Sequence, residues 1–193
     1  TKNRFGSTAE LGIFEMRQNG LVEVPNPSDH LLSGDGDPVS GTAIAATIEG
    51  VRPFLLEIQS LVSSAAYGMP QRSSSGFDLR RLNMLLAVLE KRAGFKLTSR
   101  DVFLNVAGGL RITDPATDLA VLVAILSSSL DLAVDHHTCF TGEAGLTGEV
   151  RAVSRIEQRI AEAARLGFRR MFIPRYNKGF DTSAYPLEII RVA

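Results

Sequence analysis

Short apolar runs and apolar stripes at helical spacing follow one another along most of the chain. Near the N-terminus, runs at 11–16 and 21–24 flank Asn19-Gly20, and Asn-Gly between two apolar runs is a strong hairpin signal. Two further runs between Gly41 and Val62 flank Glu49-Gly50 and predict a second hairpin. Single strands are expected at 101–106, 171–173 and 187–190.

Two amphipathic helices are predicted by their end signals. In the first, Asp78 stands in N-cap position before a stripe of leucines, and Gly94 ends the helix. The last helix begins with Ser154-Arg155-Ile156-Glu157, a capping-box spacing, and stops at Gly167. Strands that alternate with helices in this way indicate an α/β (α+β) fold, with a mixed sheet and packed helices.

A buried helix is expected between these two. Asp114 can cap it, Pro115 suits its first position, and the run Leu119 to Leu126 is apolar on every side. Ala116 then falls in the first turn, where free backbone N–H groups and the helix dipole favour an anion. Asp118 in the same turn complements that dipole without any catalytic role.

Two stretches interrupt the pattern. Pro25-Asn26-Pro27-Ser28-Asp29 cannot continue a strand ladder, because its two prolines lack N–H donors. We therefore expect a linker here, with a short appendage at 1–28 and the main domain at 29–193. The stretch Gly68 to Gly76 is small and polar, and it predicts a mobile loop.

Composition favours a single globular unit in a reducing compartment. The chain has 193 residues, 45% of them hydrophobic, which is enough to fill one core. Its single cysteine, Cys139, excludes an internal disulfide framework and favours the cytoplasm. The sequence holds no apolar run long enough to span a bilayer and no signal-peptide core at its start. The chain starts at Thr1 rather than at methionine, which indicates a piece of a longer protein.

Charge is balanced overall but uneven locally. The formal net charge is zero, yet residues 71–100 hold seven basic side chains against two acidic ones, and 150–178 hold eight against two. One interpretation is that these are ordinary solvated helix faces. The other is a dipolar surface that steers the protein toward phosphate groups.

Two segments resemble the catalytic part of the Lon protease family. Residues 108–120 are similar to the segment that carries the Lon nucleophile, but Ala116 stands in place of the serine. Residues 141–150 are similar to the segment that leads to the catalytic lysine, whose position is held by Glu157. The resemblance implies a Lon-like fold without its reaction, because nucleophilic catalysis needs a hydroxyl or thiol beside a base. The capping box offers a structural role for Glu157, a bond back to the Ser154 N–H.

A second resemblance covers essentially the whole chain. Lys2-Asn3-Arg4-Phe5-Gly6 is similar to the KNRFG signature of the bacterial RadA (Sms) family, RecA paralogues of DNA repair. The likeness continues through 25–28, 82–94 and 114–116. The chain departs from the family pattern at Gln71, Arg80 and Ala152.

This resemblance implies a longer protein and its partners. The family carries a zinc finger and a RecA-like ATPase core that uses ATP and Mg²⁺. This chain has no phosphate-binding Gly-x-x-x-x-Gly-Lys-Ser/Thr loop, and one cysteine cannot make a zinc finger. Residues 1–28 would be the tail of the ATPase domain. The implied whole is a DNA-dependent ATPase or helicase, a hexameric ring that drives branch migration on single-stranded or branched DNA with a RecA-type recombinase.

Arginines supply the candidate contacts to DNA. Arg72, Arg80 and Arg81 are the candidates in the main domain, although Arg81 precedes the Leu82 stripe, so its stem has a packing role as the alternative. In the signature, Lys2 and Arg4 point the same way on an extended backbone and suit a phosphate group. By analogy with related motors, residues 2–6 would couple nucleotide turnover in a neighbouring subunit to DNA, or be a disordered basic terminus in this piece.

Other chemistries are weaker alternatives. One is an inactive peptidase fold that binds a recombinase without touching DNA. An active peptidase would need a substitute nucleophile, and Ser127 to Ser129 lie far down the buried helix. The His136-His137-Thr138-Cys139 run holds metal-ligand residue types, but adjacent histidines do not converge on one ion. Asp114, Asp118 and Glu143 resemble a carboxylate site, and helix capping explains the first two.

Overall fold

A computed structural model describes residues 12, 14–32, 36–66 and 68–193, without the side chains of Asp29 and His30. The strands are β1 Phe14–Arg17, β2 Gly20–Glu23, β3 Thr42–Glu49, β4 Arg52–Ser64, β5 Arg72–Ser75, β6 Arg100–Val106, β7 Thr138–Phe140, β8 Glu143–Ala144, β9 Val150–Arg151, β10 Arg170–Pro174 and β11 Glu188–Val192. The α-helices are α1 Ser28–Leu31, α2 Leu79–Ala93, α3 Asp118–Leu130 and α4 Ile156–Arg165. Short 3₁₀ turns lie at Ala107–Gly109, Pro115–Thr117 and Thr182–Ala184.

A mixed sheet of seven strands forms the centre of the molecule, in the order β11-β10-β7-β3-β4-β6-β5. Strand β4 is antiparallel to both of its neighbours, and the other neighbouring strands are parallel. Six strands therefore end at one edge of the sheet, which we call the carboxyl edge. The predicted α/β fold is confirmed.

Both predicted hairpins are present. Strands β1 and β2 pair antiparallel around the Asn19-Gly20 turn, with Arg17 opposite Gly20. Strands β3 and β4 pair around Glu49-Gly50, with Glu49 opposite Arg52. A smaller hairpin, β8 with β9, follows β7 at the carboxyl edge.

Helices cover the central sheet on two sides, and alternate residues of β4 show how. Leu56 and Ile58 are buried in a core with α2 and α3. Leu55 lies in the second core, with Ile160 and Ala163 of α4. The 3.6-residue stripes of the helices and the two-residue alternation of the strand are thus satisfied together.

The end signals of the first two long helices operate as predicted. Asp78 accepts a hydrogen bond from the Arg81 backbone N–H at 2.9 Å. Gly94 closes α2 in the left-handed region, at φ +76°, with its N–H bonded to the Leu89 carbonyl. Asp114 accepts the Ala116 N–H at 3.1 Å and caps the 3₁₀ turn that leads into α3.

The expected mobile loop at 68–76 is wrong for its second half, because residues 72–75 form β5. This strand is parallel to β6 at the end of the sheet, and the Val102 N–H donates to the Gln71 carbonyl at 2.9 Å. A run of serines has no apolar alternation, so periodicity gave no strand signal here. Backbone pairing to β6 supplies the order instead.

The capping box at Ser154 is also wrong. Helix α4 begins at Ile156, after Arg155 in the left-handed region at φ +53°, and no side chain caps it. Tertiary bonds fix the chain before the helix instead: the Ser154 carbonyl accepts from the Arg159 side chain at 2.9 Å, and Val153 is bonded to Asn177.

The linker stretch contains one turn of helix, α1. The buried Ser28 hydroxyl oxygen accepts the Leu55 N–H at 3.0 Å and donates to Glu162 at 3.3 Å. The Arg52 guanidinium donates to the Pro25 carbonyl. These bonds attach the stretch to β4 and α4.

Candidate functional site

Residue 116, which the Lon resemblance places at the nucleophile position, lies at the carboxyl edge. Ala116 belongs to the 3₁₀ turn immediately before α3 and is 1% exposed. Its N–H is bonded to Asp114, and its carbonyl accepts the Gly142 N–H at 2.8 Å. A buried methyl group with both backbone groups engaged offers neither a nucleophile nor a free N–H for an oxyanion.

Asp114 is the centre of a buried ion pair beside that turn. Its second carboxylate oxygen accepts from the Arg159 guanidinium at 2.6 Å, from the Ile48 N–H at 2.9 Å and from the Thr47 hydroxyl at 3.2 Å. The Arg159 side chain is 1% exposed and also donates to the Ala46 carbonyl at 2.9 Å. The charge of each partner is therefore matched inside the protein, as a buried ion needs.

Sequence reasoning missed Arg159, although a signal was present. The inward face of α4 carries Ile156, Arg159, Ile160 and Ala163, which is the i, i+3, i+4, i+7 pattern of a buried stripe. An arginine inside such a stripe needs an internal carboxylate. Asp114 was interpreted as a helix cap only, and the structure gives it this second role.

A second ion pair joins α2 to α3. Arg81 donates from Nε to Asp118 at 2.6 Å and from a terminal nitrogen to the other carboxylate oxygen, so the contact is bidentate. Asp118 is fully buried and also accepts the Ala144 N–H at 3.0 Å. Asp118 was expected only to complement the helix dipole, and its role is instead to pair with Arg81.

The pKa values of Asp118 and Arg81 are both raised, for different reasons. Desolvation raises the pKa of Asp118, against the lowering effects of the Arg81 guanidinium and the Ala144 N–H. The hydrogen bond to Asp118 raises the pKa of Arg81. Glu143 adds a longer contact of 3.8 Å to the same guanidinium. The pair therefore fixes the β8–β9 hairpin to both helices.

The three arginines proposed for DNA contact lie in different surroundings. Arg80 is exposed on α2, and the described residues offer its guanidinium no hydrogen bond or ion pair. Arg81 is tied to Asp118. Arg72 is half-buried at the start of β5 and donates to the Leu97 carbonyl at 2.9 Å.

The two basic stretches of the sequence do not form two surfaces. Helix α2 runs from the carboxyl edge back toward the start of β6, roughly 22 Å for 15 residues. Arg80 and Arg81 therefore lie at the carboxyl edge, and Lys91, Arg92, Lys96 and Arg100 lie toward the other one. From the second stretch, Arg175 and Lys178 follow β10 and join the carboxyl edge.

A cavity of about 230 Å³ opens at the carboxyl edge next to the closed turn. Arg81 and Arg111 lie on its wall, together with Asp78 and Asp114. Arg81 and Asp114 have internal partners, so the exposed Arg111 supplies the cation and Asp78 the balancing acid. The opening carries little net charge.

Glu157, which the Lon resemblance places at the position of the catalytic lysine, is exposed in the first turn of α4. Partial burial raises the pKa of the nearby Tyr185, and the Glu157 carboxylate raises it further. A carboxylate in contact with a phenol therefore stands where the resemblance would place an amine.

Thr141 carries a buried hydroxyl near Ala116 at the carboxyl edge. It follows β7, and its N–H donates to the Phe172 carbonyl at 3.0 Å. Its hydroxyl is buried, and no described residue forms a hydrogen bond with it. Such a group normally costs free energy of folding.

No three His, Cys, Asp or Glu side chains within the described ranges come together as a metal site. His136 contacts the Gly36 carbonyl at 2.7 Å, and His137 lies 3.5 Å from Asp135. Burial raises the pKa of the Cys139 thiol well above its usual range. Lys2, Asn3, Arg4, Phe5 and Gly6 lie outside the described residues. Of the described helices, none has the length and apolar character to cross a membrane.

Comparisons with known proteins give one family model and several relatives that cover nearly the whole chain. Residues 67–177, more than half of the chain, match the family model described as subunit ChlI of Mg-chelatase. The chain is 52% identical over 192 residues to DNA repair protein RadA of Bacillus subtilis, covering 100% of the chain and 42% of that protein. It is 49% identical over 192 residues to DNA repair protein RadA of Halalkalibacterium halodurans, 100% of the chain and 42% of the relative. Identity is also 49% to the RadA of Streptococcus pneumoniae, over 99% of the chain and 46% of the relative. The chain thus spans less than half the length of these relatives.

Proposed function

We propose that this chain, which belongs to the RadA family of DNA repair proteins and has a ChlI-type domain at residues 67–177, acts in DNA repair as the DNA-binding and ring-forming part of a longer protein. It carries no peptidase activity of its own. The finer assignment, branch migration of recombination intermediates, belongs to the whole protein and rests on the family resemblance.

The proposal rests on a difference among the arginines at the carboxyl edge: some are bound to internal carboxylates and others are exposed. Arg81 and Arg159 are engaged by Asp118 and Asp114, where a peptidase would need an open cleft. Arg80 stays exposed at the same edge. A closed interior with cations outside it suits a surface that binds phosphates rather than one that cuts peptides.

The longer protein supplies the remaining chemistry in this proposal. It would be a DNA-dependent ATPase that uses ATP, Mg²⁺ and a zinc finger, with residues 2–6 coupling nucleotide turnover to DNA. Among the described residues, no three His, Cys, Asp or Glu side chains come together as a metal site. A hexameric ring and a RecA-type recombinase partner complete the assembly.

Among the three arginines we propose different roles, according to their internal partners. Arg80 is our candidate for a direct phosphate contact. Arg81 is a positioning residue, because its guanidinium already binds a buried carboxylate in two places. Arg72 also donates internally, to the Leu97 carbonyl, and we assign it to holding β5 in place.

Fluorescence anisotropy of labelled single-stranded DNA tests the DNA-binding part of the proposal. Log affinity should fall linearly with log salt, and Arg80→Ala should reduce the slope by about 0.7 for one lost contact to a single strand. Asn83→Ala, also exposed and one turn further along α2, is the matched control and should leave the slope unchanged. Binding that does not respond to salt would contradict the proposal and favour a domain that binds a recombinase without contacting DNA.

Light scattering tests the ring. The chain should elute with a mass several times the 20.9 kDa of one copy. Repetition of even one contact around such a ring multiplies affinity through avidity. A monomeric mass at all concentrations would remove the ring-forming part of the proposal.

A further inference from the structure

A short loop after β10 is held rigidly at the carboxyl edge. Asn177 is buried in this loop, and its side-chain amide donates to the Val153 carbonyl at 2.8 Å and accepts the Val153 N–H at 3.0 Å. The Arg191 guanidinium donates to the Asn177 carbonyl. At the start of the loop, the Arg175 N–H donates to the Val192 carbonyl at 2.6 Å. The backbone is therefore fixed on both sides of Tyr176.

The side chains that flank Asn177 point outward. Tyr176 is 58% exposed, although a tyrosine ring gains free energy when it is covered. The Arg175 guanidinium lies 5.6 Å from the centre of the Tyr176 ring, and Arg175 and Lys178 are both exposed. We call Arg175, Tyr176 and Lys178 the Tyr176 loop.

The surroundings of the Tyr176 loop carry charges of both signs, and the exposed Asp181 lies three residues after Lys178. The segment bonded to it through Val153 carries the exposed Arg155, whose guanidinium donates to the Gly50 carbonyl at 2.9 Å. Arg151 on the same segment is paired with Glu149 at 2.8 Å. The nearby acid on α4, Glu157, lies beside Tyr185 rather than in contact with the Tyr176 loop in the described residues.

We propose that the Tyr176 loop binds single-stranded DNA by stacking an unpaired base on Tyr176, with Arg175 and Lys178 at the neighbouring phosphates. This rests on the proposed function and adds the loop that contacts the DNA and the kind of contact. The face of the Tyr176 ring away from Arg175 is suited to stacking on a flat base, and the cations next to it in the chain are suited to binding phosphates. A single strand offers both in each nucleotide, whereas a duplex keeps its bases stacked inside.

Anisotropy with two probes tests the stack: a short oligothymidylate and an abasic strand of the same length. Tyr176→Ala should bind oligothymidylate roughly five- to hundredfold more weakly, the usual range for one lost base stack. Its salt slope should stay that of the wild type, since a stack releases no counterion. Tyr176→Phe keeps the ring and should retain the affinity. On the abasic strand, Tyr176→Ala and the wild type should bind equally.

Lys178→Ala supplies the complementary result. It should weaken binding to both probes and lower the salt slope by about 0.7. Because Tyr176 is exposed, Tyr176→Ala should unfold at the same denaturant midpoint as the wild type, which separates loss of a contact from loss of fold.

Two failures are distinguishable. If Tyr176→Ala binds oligothymidylate like the wild type, or weakens both probes equally, the stack is wrong although DNA binding stands. If the wild type shows no salt-dependent binding to either probe, the proposed function itself fails.

Discussion

Two neighbouring arginines on α2 show how differently one residue type is used in this molecule. Arg81 turns toward α3, where Asp118 binds its guanidinium at 2.6 Å, and only 29% of its side chain is exposed. Arg80 turns outward and has no partner among the described residues. The same contrast separates the buried Arg159 from the exposed Arg175 and Lys178. A count of basic residues therefore cannot assign DNA contacts, because burial and internal partners decide which cations remain available.

The largest expected effect comes from the most deeply buried cation. Arg159→Met should lower the free energy of unfolding by about 3–5 kcal/mol, because it leaves Asp114 as an uncompensated buried charge. Urea denaturation measures it. Arg165→Met on the same helix removes a half-exposed guanidinium that binds Glu162 and Asn26 and should cost about 1 kcal/mol or less. Equal losses for the two variants would show that burial does not separate the two classes of arginine.

The adjacent arginines Arg80 and Arg81 on α2 should show the same contrast in stability, with a smaller difference between the two variants. Arg81→Met should cost about 1–3 kcal/mol, less than Arg159→Met because Arg81 is partly exposed and water screens its charge. Arg80→Met should stay within about 0.5 kcal/mol of the wild type. Thermal or urea unfolding of both variants checks this. A similar loss for Arg80→Met would mean that its exposed position has a structural role.

Two buried threonines differ in whether the side-chain hydroxyl has a hydrogen-bond partner. Thr141→Val should raise the free energy of unfolding by about 1 kcal/mol, because its buried hydroxyl has no partner in the described structure. Thr47→Val should lower it by a similar amount, since it loses the bond to Asp114. Urea midpoints measure both. Changes of the same sign would contradict the hydrogen-bond assignment.

The smallest effect concerns Glu157, the exposed acid in the first turn of α4. Burial and the Glu157 carboxylate both raise the pKa of Tyr185, so Glu157→Lys should lower that pKa. The pKa of Tyr185 is higher in the folded protein than in the unfolded chain, so its protonated phenol contributes to folding stability below the unfolded pKa near 10. This contribution is lost as the pH rises through the folded pKa. Absorbance titration of the tyrosinate follows the change, with Glu157→Gln as an intermediate control. An unchanged titration curve would show that Glu157 does not act on Tyr185.

Local signals in the sequence were sufficient where one residue determines the backbone. Asp78 and Gly94 mark the ends of α2 because a short acceptor and a left-handed glycine satisfy helix termini without tertiary help. The Asn19-Gly20 turn is of the same kind. That residue 116 offers no nucleophile can also be seen from the sequence, since the alanine side chain is a methyl group.

Tertiary partners decided the features that the sequence did not reveal. Strand β5 exists because β6 pairs with a run of serines, and α4 begins at Ile156 because Arg159 and Asn177 fix the preceding residues. The partners of Arg81 and Arg159 come from other elements, at separations of 37 and 45 residues. No local pattern reports such pairs, although the inward position of Arg159 on α4 predicts that one is needed.

We propose that interior arginines hold the fold while exterior cations bind DNA. The most direct test is the salt dependence of single-stranded DNA affinity for Arg81→Met, measured where unfolding curves show the variant to be folded. We predict the same slope as the wild type, because the Arg81 guanidinium is already bound to Asp118. A slope smaller by about 0.7 would mean that Arg81 contacts a phosphate, and would contradict the account.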